Sequence, residues 1–295
     1  MSGSPEIGSL SRRAVEETVR HALAEDAPWG DLTSETLIPV DASLTGSLVA
    51  RESGVLSGID LFSAAMKLAD EETQIEVKLP DGAQFERGDV LATVSGAARS
   101  VLTAERVALN FVQRMSGIAT MTAQFVAAVA GTRARIVDTR KTTPGLRLFE
   151  RYAVRCGGGR NHRYSLSDAV LAKDNHLAVL TSNGKRDLTE ALREVRKRLP
   201  HTAHLEVEVD RPDQIAAVLS AGVDTIMLDN FSLEEMRAAV EQIAGRALVE
   251  ASGSVKLDAV RAIAETGVDI ISVGALTHSA RGLDLGLDAQ AGAVR

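Results

Sequence analysis

Cysteine is nearly absent, with Cys156 alone among 295 residues. A disulfide framework or a Cys-based zinc site within one chain is therefore excluded. Aromatic residues are scarce, at 3%. The core must then be built from Ala, Val, Leu and Ile, which favours regular helix and strand layers over an aromatic-anchored sandwich. No apolar run approaches the roughly 18 residues of a membrane span, and the N-terminus lacks a basic-then-apolar leader pattern. The sequence thus reads as soluble and cytoplasmic. Positive charge is in deficit, with a formal net of −7, which argues against bulk nucleic-acid binding.

That deficit is unevenly spread. Residues 133–163 hold nine Arg or Lys against two acids, a local net of +7 that leaves −14 for the rest of the chain. A basic island in an acidic protein suggests a local anion site rather than a track for a polyanion. Arg147, Arg151 and Arg155 also fit a solvated helix face by their i, i+4, i+8 spacing.

Periodicity divides the chain in two. Residues 11–24 predict a helix with Ser11 as its cap, followed by a loop rich in breakers at 25–31. Alternating strand signals occupy 44–60 and 74–95, with Asp81-Gly82 as a turn. Residues 103–130 predict one long helix or two in line, Ser116-Gly117 being the candidate break. Beyond it, short apolar strands at 135–138, 169–172, 204–209, 225–228, 247–250 and 270–273 alternate with helices. These helices are expected over 188–199, after Pro212, from Ser232 with a capping box to Glu235, and over 257–266 up to Gly267. Such repeats mean a parallel sheet, open or closed.

Nearly every strand of this second half runs into polar groups. The first leads to Asp138, Thr139, Arg140 and Lys141, and the second to Lys173. The third carries Glu206 and Glu208, the fourth ends at Asp229, and the fifth reaches Glu250, Ser252 and Gly253. The last meets Gly274. Parallel barrel strands gather their C-terminal ends on one face, where barrel enzymes do their chemistry. Arg140, Lys141, His162, Arg163 and Lys173 form a cationic cluster suited to a small ligand with several carboxylates or phosphates. The glycines at 157–159 can let backbone approach an anion, and a flexible linker is an equal reading. Ser252-Gly253-Ser254, ahead of a helix near Leu257, together with Gly274, suggests a phosphate monoester site. Glu208 and Asp229 then suit sugar hydroxyls, or Mg²⁺ carried by a diphosphate. Glu206 reads equally well as a structural ion pair. Cys156 reads as a buried, neutral thiol.

These residues resemble the quinolinate phosphoribosyltransferase family over almost the whole chain. The matching stretches are EDAPWGDLT at 25–33, TAERVALNFVQRMSG at 103–117, DTRKTTPG at 138–145, RCGGGRNHR at 155–163 and LAKDNH at 171–176. EVEVD at 206–210, LDNF at 228–231, EASG at 250–253 and VGALTH at 273–278 complete the set. The resemblance implies an α/β fold, an incomplete α/β barrel of parallel strands preceded by an N-terminal α+β open sandwich. The expected divisions are 1–117, 118–280 and a C-terminal segment at 281–295 returning to the first domain. It implies phosphoribosyl transfer from phosphoribosyl pyrophosphate to quinolinate with loss of CO₂, giving nicotinate mononucleotide, with Mg²⁺ as cofactor. It also implies a head-to-tail homodimer in which Arg106 completes the partner's site. Quinolinate maps to Arg106, Arg140, His162, Arg163 and Lys173. Lys141 maps near the diphosphate, Glu208 and Asp229 near ribose hydroxyls and metal, and Ser252, Gly253 and Gly274 to the 5′-phosphate. Lys141, Lys173, Glu208 and Asp229 are the expected catalytic groups. Three other readings stay open: a sister of the same fold with another substrate, a Schiff-base lyase using Lys141 or Lys173, and a non-catalytic sensor.

Overall fold

The computed structural model describes residues 8–182 and 184–291. The chain divides into two compact units. One comprises the residues up to Ala123, Thr143–Gly158 and the residues from Ser279 on; the other comprises Gln124–Thr142 and Gly159–His278.

In the first unit, strands β1 (Ser43–Ala50), β2 (Gly54–Val55), β3 (Gln74–Val77), β4 (Gln84–Phe85) and β5 (Val90–Ala97) form two antiparallel sheets. The alternating burial of β1 places Leu44, Leu48 and Ala50 in the core, as period-2 patterning requires. The helix Arg12–Asp26 buries Val15 and Val19. Ser11 precedes it, but its hydroxyl makes no cap bond; the Ser11 carbonyl accepts from Val15 instead. The turn residue Asp81 has a second task. Its carboxylate accepts the Gly58 and Ile59 N–H groups at 3.0 and 3.1 Å, satisfying the start of helix Ile59–Ala69.

The stretch expected at 103–130 is a single helix, Ala98–Ala128. Its stripe of Val101, Ala104, Val107, Ala108, Val112 and Met115 is buried. Ser116-Gly117 does not break it, because both residues serve close packing. The Ser116 hydroxyl accepts from Ser57 N–H at 3.0 Å. A Cβ on Gly117 would stand 1.9 Å from the Arg281 carbonyl oxygen. The glycine run is likewise neither hinge nor linker at its first two positions. A Cβ on Gly157 would lie 2.3 Å from the Ala119 carbonyl oxygen, and Gly158 adopts φ +84° just after helix Arg147–Cys156. In that helix Glu150, 1% exposed, accepts from Arg114 at 2.8 Å and from the Thr143 hydroxyl at 2.7 Å. Cys156 is buried beside the Ser57 hydroxyl, and burial pushes its thiol up to about 12, so it is neutral.

The second unit holds strands β6 (Arg135–Val137), β7 (Val170–Ala172), β8 (Leu205–Val209), β9 (Thr225–Asp229), β10 (Leu248–Ser252) and β11 (Ile270–Ser272). They form one parallel sheet in the order β6-β11-β10-β9-β8-β7. The sheet is an incomplete barrel, since β6 and β7 do not pair. Residue 160 lies along β6 instead, bridging Val137 in parallel. The Arg163 guanidinium donates at 2.8 Å to the carbonyl of Ala169, just before β7. Two expected helices are shorter than their apolar periodicity suggests. Pro212–Gln214 is a 3₁₀ turn ahead of Ile215–Ser220, and the last helix starts only at Val260. The Ser232–Glu235 capping box forms in full.

The last strand, β12 (Leu285–Ala291), pairs antiparallel with β1 in the first unit. No described helix is long and apolar enough to cross a membrane.

Gly117→Ala forces a methyl onto backbone that cannot rotate away. It is expected to lower unfolding free energy by about 1–3 kcal/mol, read as an earlier urea midpoint, whereas Ala123→Gly should cost only about 1 kcal/mol.

Candidate active site

The site is built on the strand ends of the second unit. A cavity of about 310 Å³ is lined by Arg140, Lys141, His162, Arg163, Lys173 and Ser252, with Thr139, Leu171, Met227, Glu250 and Ser272 completing its wall. All five cations expected from this half of the sequence therefore share one space.

Each is held differently. Lys141 sits on a backbone fixed from two sides: its N–H donates to the Thr139 hydroxyl at 3.1 Å, and its carbonyl accepts from the Thr277 hydroxyl at 2.7 Å. Gly274 makes room for it, since a Cβ there would lie 3.1 Å from Lys141 Cδ. Lys173 donates to Glu208 at 2.5 Å. Arg163 is partly buried, and both that burial and the neighbouring charge of Arg140 lower its pKa. Two guanidinium groups close enough to repel inside a cavity form a receptor for anions.

The segment carrying His162 and Arg163 is pinned by Asp138. That carboxylate is wholly buried and accepts from Asn161 Nδ2 at 2.5 Å and from His162 N–H at 2.8 Å. The His162 ring accepts the Arg163 N–H on Nδ1 at 2.8 Å, which leaves the ring proton on Nε2. Nε2 lies 3.1 Å from Glu206 and 3.6 Å from Glu250. Burial works against a second proton on this ring. The bond to Glu206 and the charges of Glu250, Glu206 and Asp138 outweigh it and raise the pKa.

Glu250 is the strand-end acid to which the sequence reading gave no site role. It is 1% exposed. Burial first, and the charge of Glu206 second, push its carboxyl up to about 8. The signal was in the sequence, as a carboxylate inside an otherwise apolar strand. Asp138 and Thr139, noted as strand-end groups, were given no site role, and Ser272 was missed. Glu206 is not the simple ion pair that its even reading allowed, because it faces another acid as well as His162.

The remaining predicted residues sit at neighbouring strand ends. Asp229 closes β9 and accepts from Asn230 Nδ2 at 3.0 Å. Gly253 adopts φ +134°, and a Cβ there would lie 2.5 Å from Asn230 Oδ1, so glycine lets two strand-end loops meet. The helix expected near Leu257 starts at Val260, so any phosphate at Ser252–Ser254 would meet turn backbone rather than a helix start. Arg106 lies exposed on the long helix of the first unit. For a metal, Glu208 and Asp229 offer hard oxygen donors on adjacent strands, the type Mg²⁺ takes alongside substrate phosphates. His162, Glu206 and Glu250 also have their ligand atoms within 4.8 Å of one another, but a cation there would have to replace the Nε2 proton.

Comparisons with known proteins agree with this geometry. Residues 31–116 match the family description "Quinolinate phosphoribosyl transferase, N-terminal domain", and 118–288 match its C-terminal domain. A nicotinate-nucleotide pyrophosphorylase [carboxylating] of Mycobacterium leprae is 46% identical, covering 93% of this chain and 97% of its own length. A probable enzyme of the same name from Bacillus subtilis is 38% identical over 95% of this chain and 94% of its own. The crystal structure of NadC from Streptococcus pyogenes superimposes with a TM-score of 0.91 at 40% identity, covering 97% of this chain and all of that one. With family matches over both domains and a relative this similar along its full length, the chain belongs to the quinolinate phosphoribosyltransferase family.

Proposed function

We propose that this protein transfers the phosphoribosyl group of phosphoribosyl pyrophosphate to quinolinate, giving nicotinate mononucleotide, diphosphate and CO₂ for NAD biosynthesis. The observation that carries the reading is the pair Arg140 and Arg163, held in one cavity with Lys141 and Lys173. Glu206 and Asp168 offset part of the repulsion on Arg163, an anion between the two guanidinium groups relieves more of it, and a pyridine dicarboxylate supplies two charges on a rigid ring. Guanidinium forks orient its carboxylates, which turns an encounter into a fixed approach of the ring nitrogen to ribose.

Diphosphate leaves as positive charge grows on the sugar. Lys141 faces the leaving group, and Glu208 and Asp229 face the ribose hydroxyls and the developing cation. Mg²⁺, held by these two carboxylates and the substrate's own diphosphate, would neutralise charge on the leaving group. Ser252, Gly253 and Gly274 supply the turn backbone beside the 5′-phosphate. A Schiff-base lyase fits less well. The Lys173 amine already donates to Glu208, which engages the nitrogen that carbonyl attack needs.

The assembly we infer is a head-to-tail homodimer in which Arg106 of one protomer reaches its partner's quinolinate pocket. Cytoplasmic location goes with this assignment.

Purified protein mixed with Mg²⁺, phosphoribosyl pyrophosphate and quinolinate is expected to form nicotinate mononucleotide, and absence of that product by mass spectrometry would refute the assignment. Arg140→Ala should lower kcat/KM for quinolinate by two decades or more, on the order of 3 kcal/mol. The shared site has its own check. Arg106→Ala and Arg140→Ala should each be nearly inactive, yet co-refolded together they should regain about a quarter of wild-type activity, since half the dimers would carry one intact site. No regain would mean that Arg106 acts within its own chain or not at all.

A further inference from the structure

Decarboxylation leaves a problem that the cationic mouth does not solve. Once the ring nitrogen is quaternised, the bond from the ring carbon to its carboxylate breaks. CO₂ departs, and the electron pair stays on that carbon. A proton must then be delivered to make the C–H bond of the product. Arginine cannot give one at neutral pH, and lysine is a weak acid.

Behind the mouth lies a second cavity of about 420 Å³, opening at the start of the strands beside His204, Thr225, Leu248 and Ile270. His162, Arg163 and Glu250 line both cavities, and Glu206 lines the rear one. Glu250 is the one carboxyl in the wall of the front cavity. Glu206 Oε1 and Glu250 Oε1 are both buried with no hydrogen-bond donor of the protein. Two acids of neighbouring interior positions cannot both ionise there without a proton or a cation between them.

We infer that the Glu250 carboxyl, seated between the two cavities against His162 and Glu206, is the acid that protonates the ring carbon vacated by CO₂. The inference rests on the quinolinate reading above. The Glu250 O–H bond breaks as the C–H bond forms, leaving a carboxylate. Water entering from the rear cavity then returns the proton by way of the Glu206–His162 side. The surroundings of Glu250 suit this. Glu206 on β8 holds its proton on by like-charge repulsion, and His162 on the 160–163 segment partly offsets that. Ser272 on β11 lies beside the carboxyl, and its hydroxyl donates to the Ala251 carbonyl at 3.4 Å. Met227 on β9 adds no charge, Asp138 faces His162, and Arg140 and Arg163 stand on the ligand side. The raised pKa of Glu250, about 8, keeps it protonated at neutral pH.

The test follows diphosphate and CO₂ separately in single turnovers of wild type, Glu250→Gln and Glu206→Gln. Wild-type CO₂ release should slow as pH rises through about 8 or somewhat above it, where Glu250 loses its proton. In E250Q, diphosphate release should stay within about threefold of wild type. CO₂ release should slow by about 100-fold or more, quinolinate mononucleotide should accumulate, and the limb near pH 8 should vanish. In E206Q, which keeps the donor and removes its like-charged neighbour, that limb should move down by roughly one unit or more. This arm stands even if E250Q does not fold. CO₂ leaving E250Q in step with diphosphate at the wild-type rate would overturn the inference. So would an unmoved limb in E206Q, or a stoichiometric metal ion in the purified protein that is lost in E250Q. Failure of wild type to use quinolinate at all would instead sink the parent assignment.

Discussion

A carboxylate cut off from water has to be satisfied by donors that cannot drift, and Asp138 is the carboxylate on which this site depends. It sits just past β6, at the edge where the six-stranded sheet fails to close. Its bonds to Asn161 Nδ2 and to the His162 N–H lay the following segment along that edge. The parallel bridge from Val137 to Arg160 continues the sheet by one more rung. His162 and Arg163 are thereby delivered into the interior on a backbone with no freedom to swing. Removing one partner of such a buried group costs roughly 3–5 kcal/mol, so position is enforced by the same term that makes the charge tolerable. The gap in the barrel is where the ligand-facing loop is inserted.

Around that anchor the charges are layered. Cations ring the strand ends, and acids lie deeper in the sheet. Strand β8 does this by alternation alone. Leu205, Val207 and Val209 are fully buried on one face, while Glu206 and Glu208 project from the other. The two glutamates then differ by depth. Glu208 reaches Lys173 near the mouth, and Glu206 meets His162 and Glu250 below it. One strand thus supplies a group for the sugar side and a group for the interior, separated by the rise of two residues.

Most of this was legible in the sequence. The alternation in LEVEV, the apolar strands and the cations that follow them located the sheet and the mouth of its cavity. The Ser232–Glu235 cap was fixed by local chemistry and formed as written. What escaped was set by tertiary contact. Ser116-Gly117 carries a breaker's composition, yet the nearness of the Arg281 backbone, set by residues far along the chain, makes glycine necessary inside a continuous helix. The run at 157–159 has the look of an anion loop. Its first residue is small because a carbonyl of the long helix passes close by. Glu250 was visible as a strand-end acid, but its partner Glu206 lies two strands away across β9, and no spacing in the chain reports that approach.

The opposing layers offset one another only in part, with Glu206 acting on Arg163. If Arg140 and Arg163 paired directly with Glu206 and Glu250, the cavity would lose both its attraction for anions and its neutral carboxyl. The imidazole of His162 stands between them. Its Nδ1 is tied to the Arg163 N–H, and its Nε2 faces the acids, so it spaces the layers. A doubly charged ligand entering from above adds negative charge over the acids below. By Coulomb's law that can only hold the Glu250 proton more tightly until the ligand's own carboxylate is lost. The like charges that make the mouth a receptor therefore depend on a histidine whose tautomer is chosen by a backbone N–H and whose place is chosen by Asp138.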